Sequence, residues 1–130
     1  MLSVLKFLWT LPQNIIALIV IFIYKGKKTG EYKECKIYSI RSSFLSGASL
    51  GNYIILEQIY FKNGVFLEKV IKHEYGHYLQ GLMFGWLYLL IIGLPSAMNN
   101  LIARVNKNVA LTYYKRYPEN WADKLGGVER

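Results

Sequence analysis

The chain has 130 residues, enough for one domain and too few for separate catalytic and regulatory domains. Hydrophobic residues make up 53% of it, charged residues 18%, and the mean hydropathy is +0.19, a balance that leans from the soluble towards the membrane class. The net charge of +8 suits lysine-rich flanks of membrane segments and attraction to anionic lipid; the scattered lysines, without interleaved aromatics, argue against a nucleic-acid partner, and a single cysteine, Cys35, rules out an intrachain disulfide or a CxxC metal site.

Residues 2–24 read LSVLKFLWTLPQNIIALIVIFIY and end at a basic cluster, Lys25, Lys27 and Lys28. The stretch has about the ~20 residues that cross ~30 Å of hydrocarbon, so segment 1–24 is expected to be a transmembrane helix. Lys6 can snorkel near one end, and Trp9 and Tyr24 suit the two interfaces. Pro12, Gln13 and Asn14 predict a kink or a face turned towards protein. A cleaved signal peptide is disfavoured, because no small-x-small site follows the apolar run.

Residues 25–130 are expected to form the remaining, catalytic domain. Within it, Glu31 to Ile40 alternates in part and Asn52 to Phe61 is rich in Ile and Tyr, so both read as strands of a small antiparallel sheet. Ser46 to Gly51 reads as a turn or bulge between them. Asn63-Gly64 turns the chain into a helix over about Val65 to Phe84. Residues 81–94 form a 14-residue apolar run, short for a crossing. Basic residues on both sides of it favour a re-entrant segment within 81–103, with a full second crossing as the alternative. The expected class is therefore an α+β membrane protein. The charge bias puts its site on the cytoplasmic side of the membrane.

His73-Glu74-Tyr75-Gly76-His77 carries the chemistry. Two histidines four apart share one helix face and can grip one metal ion. Glu74 points about 100° round the helix and can reach a metal-activated water as general base. Gly76 is expected to leave open space beside the metal. The chain has only two histidines, and both fall in this motif. With no third histidine, the third ligand should be a carboxylate. No Asp or Glu occurs from Tyr75 to Pro118, and the next acids are Glu119 and Asp123, one helical turn apart. Pro118 suits the start of that helix and Gly126-Gly127 its end.

HEYGH followed by ENWAD resembles the gluzincin metallopeptidases, and Ala122-Asp123 with Lys124-Leu125 looks most like their membrane branch, the prenyl-protein endopeptidases and heat-shock membrane proteases. The resemblance covers roughly residues 70–127, with an echo at Leu11-Pro12-Gln13-Asn14. The HEYGH core and an apolar stretch ending in GLPS are also shared with a group of very short membrane proteins. The resemblance implies a Zn²⁺ cofactor on His73, His77 and Glu119, Glu74 as catalytic base and acid, and Asp123 holding His73 in its tautomer. It also implies an oxyanion-stabilising residue. Lacking a further histidine, the chain offers Tyr113, Tyr114 or Tyr117.

The function expected is hydrolysis of peptide bonds in membrane-associated substrates, held extended by an edge strand near Asn52 to Phe61. The location expected is a bacterial-type cytoplasmic membrane. The partners are the lipid bilayer and a peptide or protein substrate, with room for a homo-oligomer. The alternative is a zinc-bearing membrane scaffold, which needs a fourth ligand such as Asp123 or Cys35.

Overall fold

The computed structural model describes residues 2–43 and 45–130; Met1, the first position of the expected segment 1–24, and Phe44 lie outside them. The architecture is a four-stranded sheet between helices. The N-terminal stretch is two helices, α1 (Leu2–Trp9) and α2 (Leu11–Ile23), meeting at 80°, so the kink expected around Pro12 breaks the expected helix in two. Pro12 explains the break: it lacks the N–H that would bond the Leu8 carbonyl, and its ring crowds that turn. The freed carbonyls find other donors. Trp86 Nε1 donates to Leu8 O at 3.0 Å and Asn14 Nδ2 to Phe7 O at 3.0 Å. Gln13 and Asn14 are fully buried and face protein. No single helix among the described residues is long and apolar enough to cross a membrane; the bent pair reaches the required length only together.

The strands are β1 (Lys27–Tyr32), β2 (Cys35–Ile40), β3 (Gly47–Leu50) and β4 (Tyr53–Glu57), in the order β1-β2-β4-β3. β1 with β2 and β3 with β4 are antiparallel, but β2 and β4 run parallel, so the expected all-antiparallel sheet is corrected to a mixed one. The expected turn at Ser46 to Gly51 is largely β3, a strand of small residues that takes the sheet edge. The expected edge strand over 52–61 is shorter and central, giving way to a 3-10 turn at Gln58–Lys62. Its YIIL run is buried on both faces, as a central strand's should be. Ile54 and Leu56 pack with Cys35, Ile37, Tyr75 and Tyr78 on one side. Tyr53 and Ile55 pack with Ile40 and Ala17 on the other. The sheet thus lies between α2 and α3 (Gly64–Phe84), which carries the HExxH sequence.

Asn63 starts α3, its side chain accepting from the Phe66 N–H at 3.2 Å. Beyond Phe84 the apolar run is not one helix. A 3-10 turn (Gly85–Leu87) and a π-helical turn (Leu89–Gly93) lead into α4 (Leu94–Val105) and then α5 (Lys107–Leu111). The last helix, α6 (Glu119–Gly126), starts after Pro118 and ends at Gly127 in the left-handed conformation. α6 packs along α3 with almost no space between backbones. A Cβ on Gly76 would strike the Ala122 carbonyl, and one on Gly126 the Lys72 carbonyl. Gly76 therefore admits α6; it does not open space beside a metal, as its place in the motif suggested.

Candidate metal centre

The close contact of α3 and α6 brings His73, His77 and Glu119 together. One potential ligand atom of each lies within 4.8 Å of the others, and all three residues are buried. His77 Nε2 is 2.9 Å and His73 Nε2 3.6 Å from Glu119 Oε1. Ligands placed tetrahedrally at zinc bond lengths would stand about 3.3 Å apart, so these separations bracket the geometry of one small ion.

The outer nitrogens fix how both rings are presented. His73 Nδ1 is 2.7 Å from Asp123 Oδ1, an acceptor-only carboxylate, so Nδ1 carries a proton and donates it. Arg130 grips the same carboxylate through Nε at 2.8 Å and Nη2 at 3.0 Å, and lies 3.4 Å above the Tyr114 ring. The Tyr114 ring stands edge-on to His73 at 5.2 Å. His77 Nδ1 is 2.7 Å from Gln80 Oε1. Gln80 Nε2 donates to the Pro118 carbonyl at 3.3 Å, which turns its oxygen towards the histidine. Nδ1 of His77 is thus a donor too. Both Nε2 lone pairs are left facing Glu119, and two acceptors approach to 2.9 Å only with a proton or a cation to bind them. Glu119 Oε2 is buried with no hydrogen-bond partner. The donor set, its presentation and this orphaned oxygen fit a divalent metal.

A proton on His73 can hold the same cluster together as an ion pair. Burial disfavours a charged His73, but its hydrogen bonds to Asp123 and Glu119 outweigh this and raise its pKa to about 9. Burial pushes Glu119 upward, and the two histidines outweigh that, holding it at about 2. Glu74 is raised, chiefly by burial, which the nearby histidines only partly offset.

No family model, curated protein or solved structure matches the chain. Its chemistry therefore has to be read from the cavity beside the cluster, which has a volume of about 330 Å³. His73, Glu74, His77 and Glu119 line one side, β3 and the loop before it another, and α4 a third. β3 passes so near Glu74 that a Cβ on Gly47 would stand 3.4 Å from Glu74 Oε1. Of the three tyrosines, Tyr113 and Tyr114 line the cavity and Tyr117 does not. The Tyr117 hydroxyl donates to Ile91 O at 2.6 Å. Tyr114 is occupied between Arg130 and His73, whereas the Tyr113 hydroxyl lies in the cavity, 3.5 Å from Asn100 Nδ2.

Four contributors were missed from the sequence. Gln80 and Arg130 orient the histidine and carboxylate. Ser96 Oγ donates to Glu119 Oε1 at 2.9 Å. Tyr88, a cavity-lining residue, ties its hydroxyl to Ser49 O at 3.1 Å on β3. Gln80, three residues past His77, was visible as the next polar position on the histidine face; the other three depend on how distant segments pack.

Proposed function

We propose that this chain is a zinc-dependent endopeptidase working at a membrane surface. The observation that carries the proposal is the buried His73–His77–Glu119 cluster with Glu74 beside it, opening on a cavity edged by a β-strand. His73, His77 and Glu119 would hold the ion. When bound, zinc acidifies a water and polarises a carbonyl oxygen.

The protein's own groups supply the rest. Glu74, its basicity raised by burial, accepts a proton from the attacking water and delivers it to the leaving amine. β3 offers a sheet edge over Glu74, along which an extended peptide is held by backbone hydrogen bonds. Gly47 brings that strand into van der Waals range of the carboxylate. The Tyr113 hydroxyl, which meets the side chains of Asn100 and Ser96 in the cavity wall, is the donor best placed to meet a developing oxyanion. Three ligands with an open cavity side match the pattern of catalytic zinc, and structural zinc takes four. Cys35, one candidate for a fourth, is buried in the sheet core with Tyr75 and Tyr78, and Asp123 is engaged by His73 and Arg130.

The test is metal content and cleavage by detergent-purified protein. Wild type should carry about one zinc per chain, lost in His77→Ala and Glu119→Ala, whose ligands are gone. Glu74→Gln should keep the metal and lose at least ~10²-fold in the rate of cleaving membrane-presented peptides. Wild type that takes up no zinc on reconstitution sinks the reading. Zinc-loaded wild type that cleaves no better than Glu74→Gln leaves a metal-bearing scaffold instead.

A further inference from the structure

α4 is inside out for a protein in water. None of its residues is buried. Leu94, Met98, Leu101, Ile102 and Val105 are all exposed, Val105 to 88%, and their spacing draws one stripe along the helix. The opposite face is polar and turned inward. There Ser96 bonds Glu119 at 2.9 Å, Asn99 Nδ2 bonds Tyr117 O at 2.7 Å, and Asn100 reaches the Tyr113 hydroxyl. A helix held to its protein by hydroxyl and amide groups, with its apolar stripe outward, needs an apolar medium on that side.

Three observations choose the medium. With the π-helical turn before it, α4 makes one apolar helix, Leu89–Val105, about 25 Å long and still short of the ~30 Å of a hydrocarbon core. Its last turn and the segment that follows carry Arg104, Lys107, Lys115 and Arg116, with no acid before Glu119. A second copy of the chain would bring another +8 of charge against the same surface, whereas an anionic leaflet is complementary to it.

We propose that α4 lies along the boundary between headgroups and acyl chains of an anionic phospholipid leaflet, apolar stripe inward to the lipid, as the bilayer-side wall of the cavity. Leu101 belongs to both surfaces, standing in the stripe and lining the cavity. The cavity therefore opens sideways at the lipid boundary. That last consequence for a substrate rests on the proposed peptidase activity; the seating of α4 does not.

The experiment places an environment-sensitive dye on single cysteines at Met98→Cys, Ile102→Cys and, for comparison, Lys69→Cys, in the full chain with Cys35→Ala. Each protein is reconstituted into phosphatidylcholine vesicles with or without phosphatidylglycerol, carrying spin labels shallow or deep in the acyl chains. Shallow labels should quench the dyes at 98 and 102 several-fold more than the dye at 69, and more than deep labels do. Omitting phosphatidylglycerol should reduce the effect. Dyes at 98 and 102 that stay water-exposed overturn the proposal. So does stronger quenching by deep labels, which would mean a span, or protection that rises with protein concentration regardless of lipid, which would mean a second copy. Repeating the measurement with zinc chelated should change nothing, so loss of the metal reading and loss of this one remain separable.

Discussion

Gln80 decides which nitrogen of His77 faces Glu119. Its side-chain oxygen takes the Nδ1 proton, and its amide is in turn held by the Pro118 carbonyl. Gln80→Leu removes that acceptor and frees the ring to present either nitrogen. Zinc affinity should fall ~10–100-fold, read by competition with a chromophoric chelator, while the fold persists. His73 sets the pH dependence. In the metal-free site burial is outweighed by its hydrogen bonds to Asp123 and Glu119, and its pKa rises from 6.5 to about 9. Below that value the ion must displace a proton, so apparent affinity should rise about tenfold per pH unit towards 9 and flatten above it. Glu119, held at about 2, stays ionised across that window and adds no slope. A flat profile between pH 6.5 and 9 in chelator competition would mean that this proton is absent.

Two glycines make the α3–α6 contact, and the metal cluster depends on it. Gly76 meets the Ala122 backbone, and Gly126 meets that of Lys72. Gly76→Ala must push α6 away, which should cost about 1–3 kcal/mol in denaturant titrations, like other overpacking changes. It should also lower zinc occupancy, because Glu119 moves with α6. The two helices themselves were legible from the sequence, since HEYGH and ENWAD each fix a helical face and Asn63 and Gly127 mark ends by local chemistry. The sheet was less so. Gly47–Leu50 is a strand because it pairs with Tyr53–Glu57, and nothing in Gly-Ala-Ser-Leu announces it. The parallel pairing of β2 with β4 is likewise a contact across the chain that no hairpin signal encodes. Gly76 was misread for the same reason: its spacing from His73 was visible, but the carbonyl facing it comes from residue 122.

At the scale of the molecule, the apolar surfaces are joined by a reciprocal pair of tryptophans. Trp9 Nε1 donates to Leu82 O at 2.7 Å near the end of α3, and Trp86 Nε1 donates to Leu8 O at 3.0 Å at the end of α1. Both indoles lie at the surface, 49% and 61% exposed, among Leu5, Leu8, Leu87 and Leu90, which are exposed as well. The medium around this corner decides what the bonds are worth. If water surrounds it, a carbonyl that loses its indole is hydrated at once, and Trp86→Phe is nearly silent. If lipid surrounds it, the Leu8 carbonyl loses the indole with neither water nor a Pro12 N–H to replace it, and leaving it unpaired costs about 1–3 kcal/mol or more. We expect the second result in thermal unfolding of vesicle-reconstituted protein. We also expect the cost to shrink in a Pro12→Ala background, where a backbone N–H becomes available to α1. Equal, negligible losses in both backgrounds would place this corner in water and remove the bent helix pair from the membrane.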